Sequence, residues 1–168
     1  TAGFSTYPIG SFSNAGLFVL CVLMFVGASP GSTGGGIKTS TFFVLFQSVR
    51  STFTKKQIGA FKRGISAKTV STASSITILS LAVVCLGTFF MCVLEPEYNF
   101  IQLLFEVISA FGTVGLSTGI TPDLSIGGKL VIILIMFIGR LGAMTLISMW
   151  IDHPEPNVHY TEETITIG

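Results

Sequence analysis

The segment FIQLLFEVISAFGTVGLSTG, residues 100–119, runs from an apolar helix pattern into a strip of glycine and hydroxyl residues. Asn99 can cap a helix and Gln102 stands in the capping-box position, so the pattern predicts a helix that ends at Gly112. About thirteen helical residues rise only about 20 Å, too little to cross the roughly 30 Å core of a membrane. A helix that stops inside a membrane leaves irregular backbone, which protein must bury or which lines a watery cavity. Residues 113–119 are therefore predicted to form the strip of a re-entrant loop.

The composition of the whole chain is that of a membrane protein. Apolar residues make up 49% and charged residues 10% of its 168 residues, and the mean hydropathy is +0.78. Residues 1–37 and 69–94 carry no charge, and residues 130–151 are interrupted only by Arg140. Each run exceeds the roughly 20 residues that a spanning helix needs. We therefore predict an all-α, multi-pass membrane protein whose cysteines, which lack metal-ligand spacing, are packing residues.

The few charges predict the orientation of the chain. Every charge on residues 39–94 is positive, and these basic residues lie in one short connection: Arg50, Lys55, Lys56, Lys62, Arg63 and Lys68. By the positive-inside rule this connection is cytoplasmic, and it can also contact the anionic surface of the lipid bilayer. Residues 69–94 then cross outward, the last apolar run returns, and residues 152–168 form a cytoplasmic tail. His153 and His159 in the tail are interpreted as ordinary polar residues.

The strip has a second copy at the start of the chain, TAGFST, residues 1–6. A shift of 112 residues aligns the two copies without a gap and carries Thr1 onto Thr113 and Gly3 onto Gly115. The identities continue through Ser5 and Ser117, Thr6 and Thr118, Ser13 and Ser125, Gly16 and Gly128, Val19 and Val131, Met24 and Met136, Phe25 and Phe137, Gly27 and Gly139. We therefore predict a unit of helix, pore loop and helix that is used at least twice. Because the first copy begins at its strip, we expect the sequence to be a piece of a longer chain.

The paired Thr-x-Gly strips predict a site for a desolvated alkali cation. Such a cation needs several oxygen ligands, which backbone carbonyls aimed at one axis supply. Glycine permits the positive φ that turns successive carbonyls the same way, and it lets two strips approach each other. The C-terminal end of the short helix adds partial negative charge near the membrane centre. The predicted ligands are the strip residues Thr1, Ala2, Gly3, Phe4, Thr113, Val114, Gly115 and Leu116.

The two copies diverge after their shared glycine, where ASPGSTGGGIKT follows Gly27. Pro30 and the four glycines after it cannot continue a stable helix, so the helix is predicted to break inside the membrane. The glycine density favours a mobile loop, and a purely structural kink is the alternative. Residues 31–39 also approach the phosphate-binding pattern G-x-x-x-x-G-K-[ST]. Ile37 intrudes and no strand context surrounds them, which disfavours a nucleotide site.

Arg140 stands where the first copy has Ala28. On a helix that runs to Trp150 it lies about 15 Å from that end, deeper than a snorkelling side chain reaches. Its charge must therefore face the bundle interior or a cavity. The two interpretations are an arginine satisfied by neighbouring carbonyls for packing alone, and a charge that faces the pore.

At these residues the sequence resembles the Trk/Ktr/HKT superfamily of potassium transport proteins, most closely the bacterial Ktr-type membrane subunit. The resemblance implies four successive repeats around one pore, of which Gly3 and Gly115 supply two filter glycines. It divides the chain into residues 1–68, the third repeat from its filter with the basic connection, residues 69–151, the fourth repeat, and residues 152–168, the tail. Where tetrameric channels have TVGYG, this strip reads TVGLS, which leaves the degree of K⁺ over Na⁺ discrimination open.

The resemblance also implies a gate beneath the filter, where the family has an intramembrane loop and an arginine that opposes cation passage. The implied gate residues are Gly31, Ser32, Thr33, Gly34, Gly35, Gly36, Lys38 and Arg140. It further implies a homodimer in the bacterial inner membrane and a cytoplasmic nucleotide-binding regulatory ring. The ending YTEETITIG, residues 160–168, is similar to a Ktr C-terminus and suits contact with another chain.

The predicted function is potassium uptake, with K⁺ as the transported ion, Na⁺ as a candidate coupling or activating ion, no covalent cofactor and no nucleic-acid partner. An enzyme is not predicted, because the carboxylates are few and scattered and neither histidine neighbours a nucleophile. Two alternatives stay open: a secondary transporter with re-entrant loops, and the filter-bearing subunit of an ATP-driven potassium pump.

Overall fold

The computed structural model describes residues 1–54, 59–60 and 63–142, and within them the fold is helical as predicted. The helices are α1 (Asn14–Phe25), α2 (Thr39–Thr54), α3 (Ala67–Leu94), α4 (Phe100–Phe111) and α5 (Ile126–Leu141), with short 3₁₀ turns at Ile9–Ser11 and Thr121–Asp123. The basic connection contains a feature that was not predicted. Its strands β1 (Gly59–Ala60) and β2 (Arg63–Gly64) form an antiparallel pair of two residues each.

One helix among the described residues, α3, is long and apolar enough to cross a membrane. Its 28 residues begin after Ser66, whose hydroxyl accepts a hydrogen bond from the Thr69 N–H at 3.2 Å. Helices α1 and α4 are apolar but have only 12 residues each. The uncharged run of residues 1–37 is thus not a single span. It contains a strip, a 3₁₀ turn, a short helix and a loop.

The last helix is shorter than predicted. Helix α5 ends at Leu141 and is capped by Gly142 at φ +82°, so the prediction of a continuous helix to Trp150 is wrong at this point. Glycine adopts that φ without the steric cost of a Cβ, which permits the helix to stop there. Arg140 therefore lies in the last turn, where a positive charge is favoured by the helix dipole. The predicted tail, with His153 and His159, lies outside the described residues, as do Lys55, Lys56 and Lys62.

The short helix α4 is the centre of the core. It packs against α1, α3 and α5, and all of its residues from Phe105 to Phe111 are buried. The largest fully buried side chains are Phe105, Phe111, Met91, Leu103, Val107 and Cys21. By contrast, α3 exposes large apolar side chains, among them Ile78, Leu81, Phe89, Phe90 and Val93. Burial from several sides fixes α4, and an exposed apolar face of this kind marks contact with protein or membrane.

The structure also follows the sequence repeat at its 112-residue spacing. The two 3₁₀ turns stand at equivalent positions, and each is followed by a capping serine and a helix. Ser13 accepts a hydrogen bond from the Gly16 N–H at 3.2 Å, and Ser125 accepts one from the Gly128 N–H at 3.1 Å. The copies part where the sequences part, because α1 ends at Phe25 whereas α5 continues to Leu141.

Candidate functional site

Helix α4 delivers the second strip, residues 113–116, to the middle of the molecule. The predicted capping box is present, with the Asn99 N–H donating to the side-chain oxygen of Gln102 at 3.2 Å. The helix ends at Phe111, one residue before Gly112, as predicted. The chain leaves the helix through two tight turns, in which Thr113 N–H donates to the Ala110 carbonyl at 3.0 Å and Val114 N–H to the Ser109 carbonyl at 2.9 Å.

The two strip glycines have the backbone conformation that was expected of them. Gly3 has φ +76° and Gly115 has φ +91°. A Cβ built on Gly3 would lie 2.1 Å from the Val114 carbonyl oxygen, whereas a Cβ on Gly115 would meet no atom within 4 Å. Glycine is therefore required by close approach of the other strip at Gly3 and by backbone conformation at Gly115.

A cavity of about 590 Å³ connects the second strip to Arg140. Its lining includes Glu106 on α4, the strip residues 113–117, Met136 on α5 and Arg140. The structure thus brings together the second group of predicted ligands and one predicted gate residue. The first strip lies against the second at Gly3, while Phe4 of that strip leaves 93% of its side chain exposed.

The chain after α1 breaks into a loop, as predicted. We define the glycine loop as residues 27–38. Its two ends are joined by the Gly27 N–H, which donates to the Ile37 carbonyl at 2.7 Å, and the Ile37 N–H, which donates to the Phe25 carbonyl at 3.1 Å. Lys38 closes the loop on itself, because its ammonium donates to the carbonyls of Ser32 at 3.1 Å and Gly34 at 2.5 Å. A helix rather than a strand precedes the loop, unlike a phosphate-binding motif.

The glycine loop lies directly against the end of α4. The Gly35 N–H donates to the Thr113 hydroxyl oxygen at 2.8 Å. A Cβ on Gly35 would lie 2.7 Å from the Phe111 carbonyl oxygen and 3.0 Å from that of Gly139. Arg140 donates from Nη1 to the Thr33 carbonyl oxygen. The predicted gate residues from both copies are thus in direct contact, and they share a second cavity of about 320 Å³.

Sequence reasoning missed one residue of this site, Glu106. Its side chain is 5% exposed and accepts hydrogen bonds from Ser117, Thr118 and Thr121, which follow the second strip. Treating the carboxylates as scattered concealed a usable signal. An ionisable residue within an apolar helix at membrane depth is a candidate functional residue by itself.

The described residues contain no group of three or more His, Cys, Asp or Glu side chains that could hold a metal ion. The three cysteines are free thiols, of which Cys21 is buried and Cys85 exposed. The polar atoms around the cavity are instead carbonyl oxygens, hydroxyls and one carboxylate. Such oxygens suit a hard cation.

Comparison with known proteins relates the chain to ion transport. Residues 1–160 match the family model TrkH, described as a cation transport protein. The chain is 40% identical over 173 residues to Ktr system potassium uptake protein D of Bacillus subtilis and 40% identical over 170 residues to Ktr system potassium uptake protein B of Vibrio alginolyticus. It is 39% identical over 175 residues to the potassium/sodium uptake protein NtpJ of Enterococcus hirae. Each alignment includes 100% of this chain but only 38%, 37% and 39% of the respective relative.

Proposed function

Because this chain belongs to the TrkH family of cation transport proteins, we propose that it is part of a potassium-uptake protein whose filter includes both glycine strips. The family resemblance predicted from the strips is confirmed, and the relatives carry the names of potassium or cation transporters rather than enzymes. The chain spans less than two-fifths of the length of these relatives. The activity proposed here is that of the complete protein.

The observation that carries the proposal is the contact between the two strips. Gly3 and Gly115 are equivalent in the sequence repeat, both have positive φ, and Gly3 approaches the Val114 carbonyl so closely that a Cβ would overlap it. Two neighbouring strips of carbonyls are half of a ring of four. The remaining two strips would come from the part of the protein that precedes this segment. The division into residues 1–68, 69–151 and 152–168 belongs to the same proposal.

Transport by such a ring involves no covalent step. Carbonyl oxygens of the strips replace the hydration shell of K⁺, and binding at successive sites stays weak enough for the ion to leave. Helix α4 ends beside the second strip, and its C-terminal carbonyls supply partial negative charge that favours a cation there.

The glycine loop and Arg140 form the proposed gate. The loop packs against Phe111 and Gly139 at the end of the short helix, and Arg140 donates to its Thr33 carbonyl. Arg140 also lines the cavity that contains the second strip. A fixed positive charge at this point raises the electrostatic barrier for a cation, and the loop occupies space beside it. Lys38 maintains the shape of the loop through its two carbonyl contacts.

The wider assembly is proposed from the family resemblance and the charge pattern. The membrane subunit would form a homodimer in the bacterial inner membrane, and the basic connection of residues 50–68 would face the cytoplasm. There a nucleotide-binding regulatory ring would control the gate. Na⁺ is proposed as a coupling or activating ion, in keeping with the name of the potassium/sodium uptake relative.

Ion flux through the complete protein tests the proposal. Purified protein in vesicles should accumulate K⁺ down its electrochemical gradient, with a preference over Na⁺ and without forming a phosphoenzyme. Uptake that needs ATP hydrolysis and a phosphorylated partner would instead indicate the pump alternative. Correctly inserted protein that carries no K⁺, alone or with its regulatory subunit, would contradict the proposal.

A further inference from the structure

Glu106 is the one charged residue in the sequence of α4, FIQLLFEVISAF, and it lies in the most buried part of that helix. Its side chain is 5% exposed. A buried carboxylate is costly unless hydrogen bonds compensate its desolvation. The partners of Glu106 therefore show what the charge is held against.

All of those hydrogen bonds come from the segment that follows the second strip. Oε1 accepts from the Ser117 hydroxyl at 2.8 Å, the Thr118 N–H at 2.8 Å and the Thr118 hydroxyl at 3.0 Å. Oε2 accepts from the Thr121 hydroxyl at 2.7 Å. A carboxylate has about four acceptor positions, so this group is fully used. Charge-assisted bonds of this length are about twice as strong as neutral ones.

The donors are themselves linked, which makes the attachment a network. The Ser117 and Thr121 hydroxyl oxygens lie 2.8 Å apart, and Ser117 Oγ accepts from the Gly119 N–H at 2.9 Å. One turn along α4, the Ser109 hydroxyl donates to the Leu116 carbonyl oxygen at 2.6 Å. Three consecutive residues, 116 to 118, are thus fastened to the short helix immediately beyond Gly115.

We propose that Glu106, assisted by Ser109, is a positioning residue that sets the ion selectivity of the second strip. At the inner end, the strip is fixed by the turn that leaves α4 and by the Thr113 contact with Gly35. The Glu106 network fixes the outer end. A strip held at both ends cannot contract around a cation smaller than K⁺ without breaking these bonds. The proposal rests on the proposed function, because it concerns how that filter discriminates.

The same geometry divides the predicted ligands into two groups. The Leu116 carbonyl is engaged by Ser109, so it anchors the strip. The Thr113, Val114 and Gly115 carbonyls are then the cation ligands of this copy. Gly115 is the position at which the anchored and the ion-facing parts meet.

The test compares two Glu→Gln variants of the full-length protein in vesicles, with K⁺ and Na⁺ uptake measured separately. In Glu106→Gln one acceptor oxygen becomes an amide donor that faces donors, so the K⁺ over Na⁺ ratio should fall about tenfold, as expected for the loss of a bond to a charged group. Glu95→Gln is the matched control. Glu95 is also buried, at 7% exposed, but it accepts from the Ser125 N–H at 2.7 Å, away from the strip. Its variant should keep the parental ratio even if less protein reaches the membrane.

Two milder variants keep the proposal testable if Glu106→Gln does not fold. Thr121→Val removes only the Oε2 donor, and Ser117→Ala removes one Oε1 donor. Each should lower the K⁺ over Na⁺ ratio by a smaller factor. A parental ratio in every foldable variant of this network, or an equal fall in Glu95→Gln, would overturn the inference. If Gly115→Ser changes the ratio while these variants do not, the filter stands and only the role of Glu106 falls. A parent without K⁺ uptake would remove the proposed function itself.

Discussion

Gly35 donates its backbone N–H to the hydroxyl oxygen of Thr113 at 2.8 Å, across 78 residues of sequence. This bond joins the glycine loop to the first residue of the second strip. Thr113 is also the one described non-glycine residue with positive φ, at +51°, a conformation that costs energy in most residues. The loop and the inner end of the strip are therefore one arrangement, and displacement of the loop breaks a contact of the strip.

The first prediction concerns Gly115. In Gly115→Ser a Cβ disfavours φ +91° by about 1–2 kcal/mol, so we expect a weaker K⁺ preference at near-normal membrane abundance. Gly119→Ser is the matched control, because Gly119 has φ +100° and equally open surroundings but lies beyond the strip. Separate K⁺ and Na⁺ uptake measurements in vesicles make the comparison. Equal selectivity of both variants and the parent would argue against the filter assignment.

The second prediction separates the two strip glycines by stability. Gly3→Ala places a methyl group 2.1 Å from the Val114 carbonyl oxygen, whereas Gly115→Ala meets no atom within 4 Å. Backbone cannot yield as a flexible side chain does, so Gly3→Ala should reduce folded yield and thermal stability more than Gly115→Ala. Detergent-solubilised protein followed by thermal unfolding gives the measurement. The opposite order of stability would show that the two strips are not in contact.

The third prediction concerns Arg140. Arg140→Ala removes a positive charge from the proposed gate and its contact with Thr33, so the maximum uptake rate should rise. Each 1.4 kcal/mol or so taken from the barrier corresponds to roughly tenfold in rate. Apparent affinity for K⁺ should change much less, because the strips are intact.

The control for Arg140 lies on the same helix. Lys129→Ala removes a charge near the start of α5, where Lys129 donates to the Pro122 carbonyl at 2.8 Å, and it should leave the rate unchanged. Membrane abundance must be measured beside flux for both variants. A well-expressed Arg140→Ala protein with flux at or below the parental level would leave Arg140 as a packing residue.

The fourth prediction tests how the loop is seated. In Gly35→Ala the new methyl group would press on the carbonyl oxygens of Phe111 and Gly139, which lie 2.7 and 3.0 Å from the Cβ position. The loop should be displaced and the uptake rate should increase, as in Arg140→Ala. Gly31→Ala strains the same loop at φ +82° but meets no atom within 4 Å, so it should have a smaller effect. Equal rates in the two variants would count against obstruction by a seated loop.

Local patterns predicted some of these features well. The bounds of α4 followed from Asn99, Gln102 and the apolar spacing, because capping and periodicity are properties of neighbouring residues. The break after Gly27 followed from Pro30 and the glycines for the same reason. The end of α5 at Leu141 did not, since an apolar sequence does not specify where one glycine leaves helical φ. The partners of Glu106 lie 11 to 15 residues further along the chain, on a segment that turns back only after the helix has ended.

The divergence of the two repeats has an energetic consequence for control. Under the proposed function, only one copy supplies the obstruction, so opening requires the displacement of a single loop while the helices stay packed. The polar contacts that seat this loop against its surroundings, Gly35 to Thr113 and Arg140 to Thr33, are worth about 1 kcal/mol each in net terms. Reversing a two-state population from 1:99 to 99:1 takes about 5.5 kcal/mol. A regulatory partner that prefers the open state by that modest margin could switch the protein almost completely, without touching the residues that select the ion.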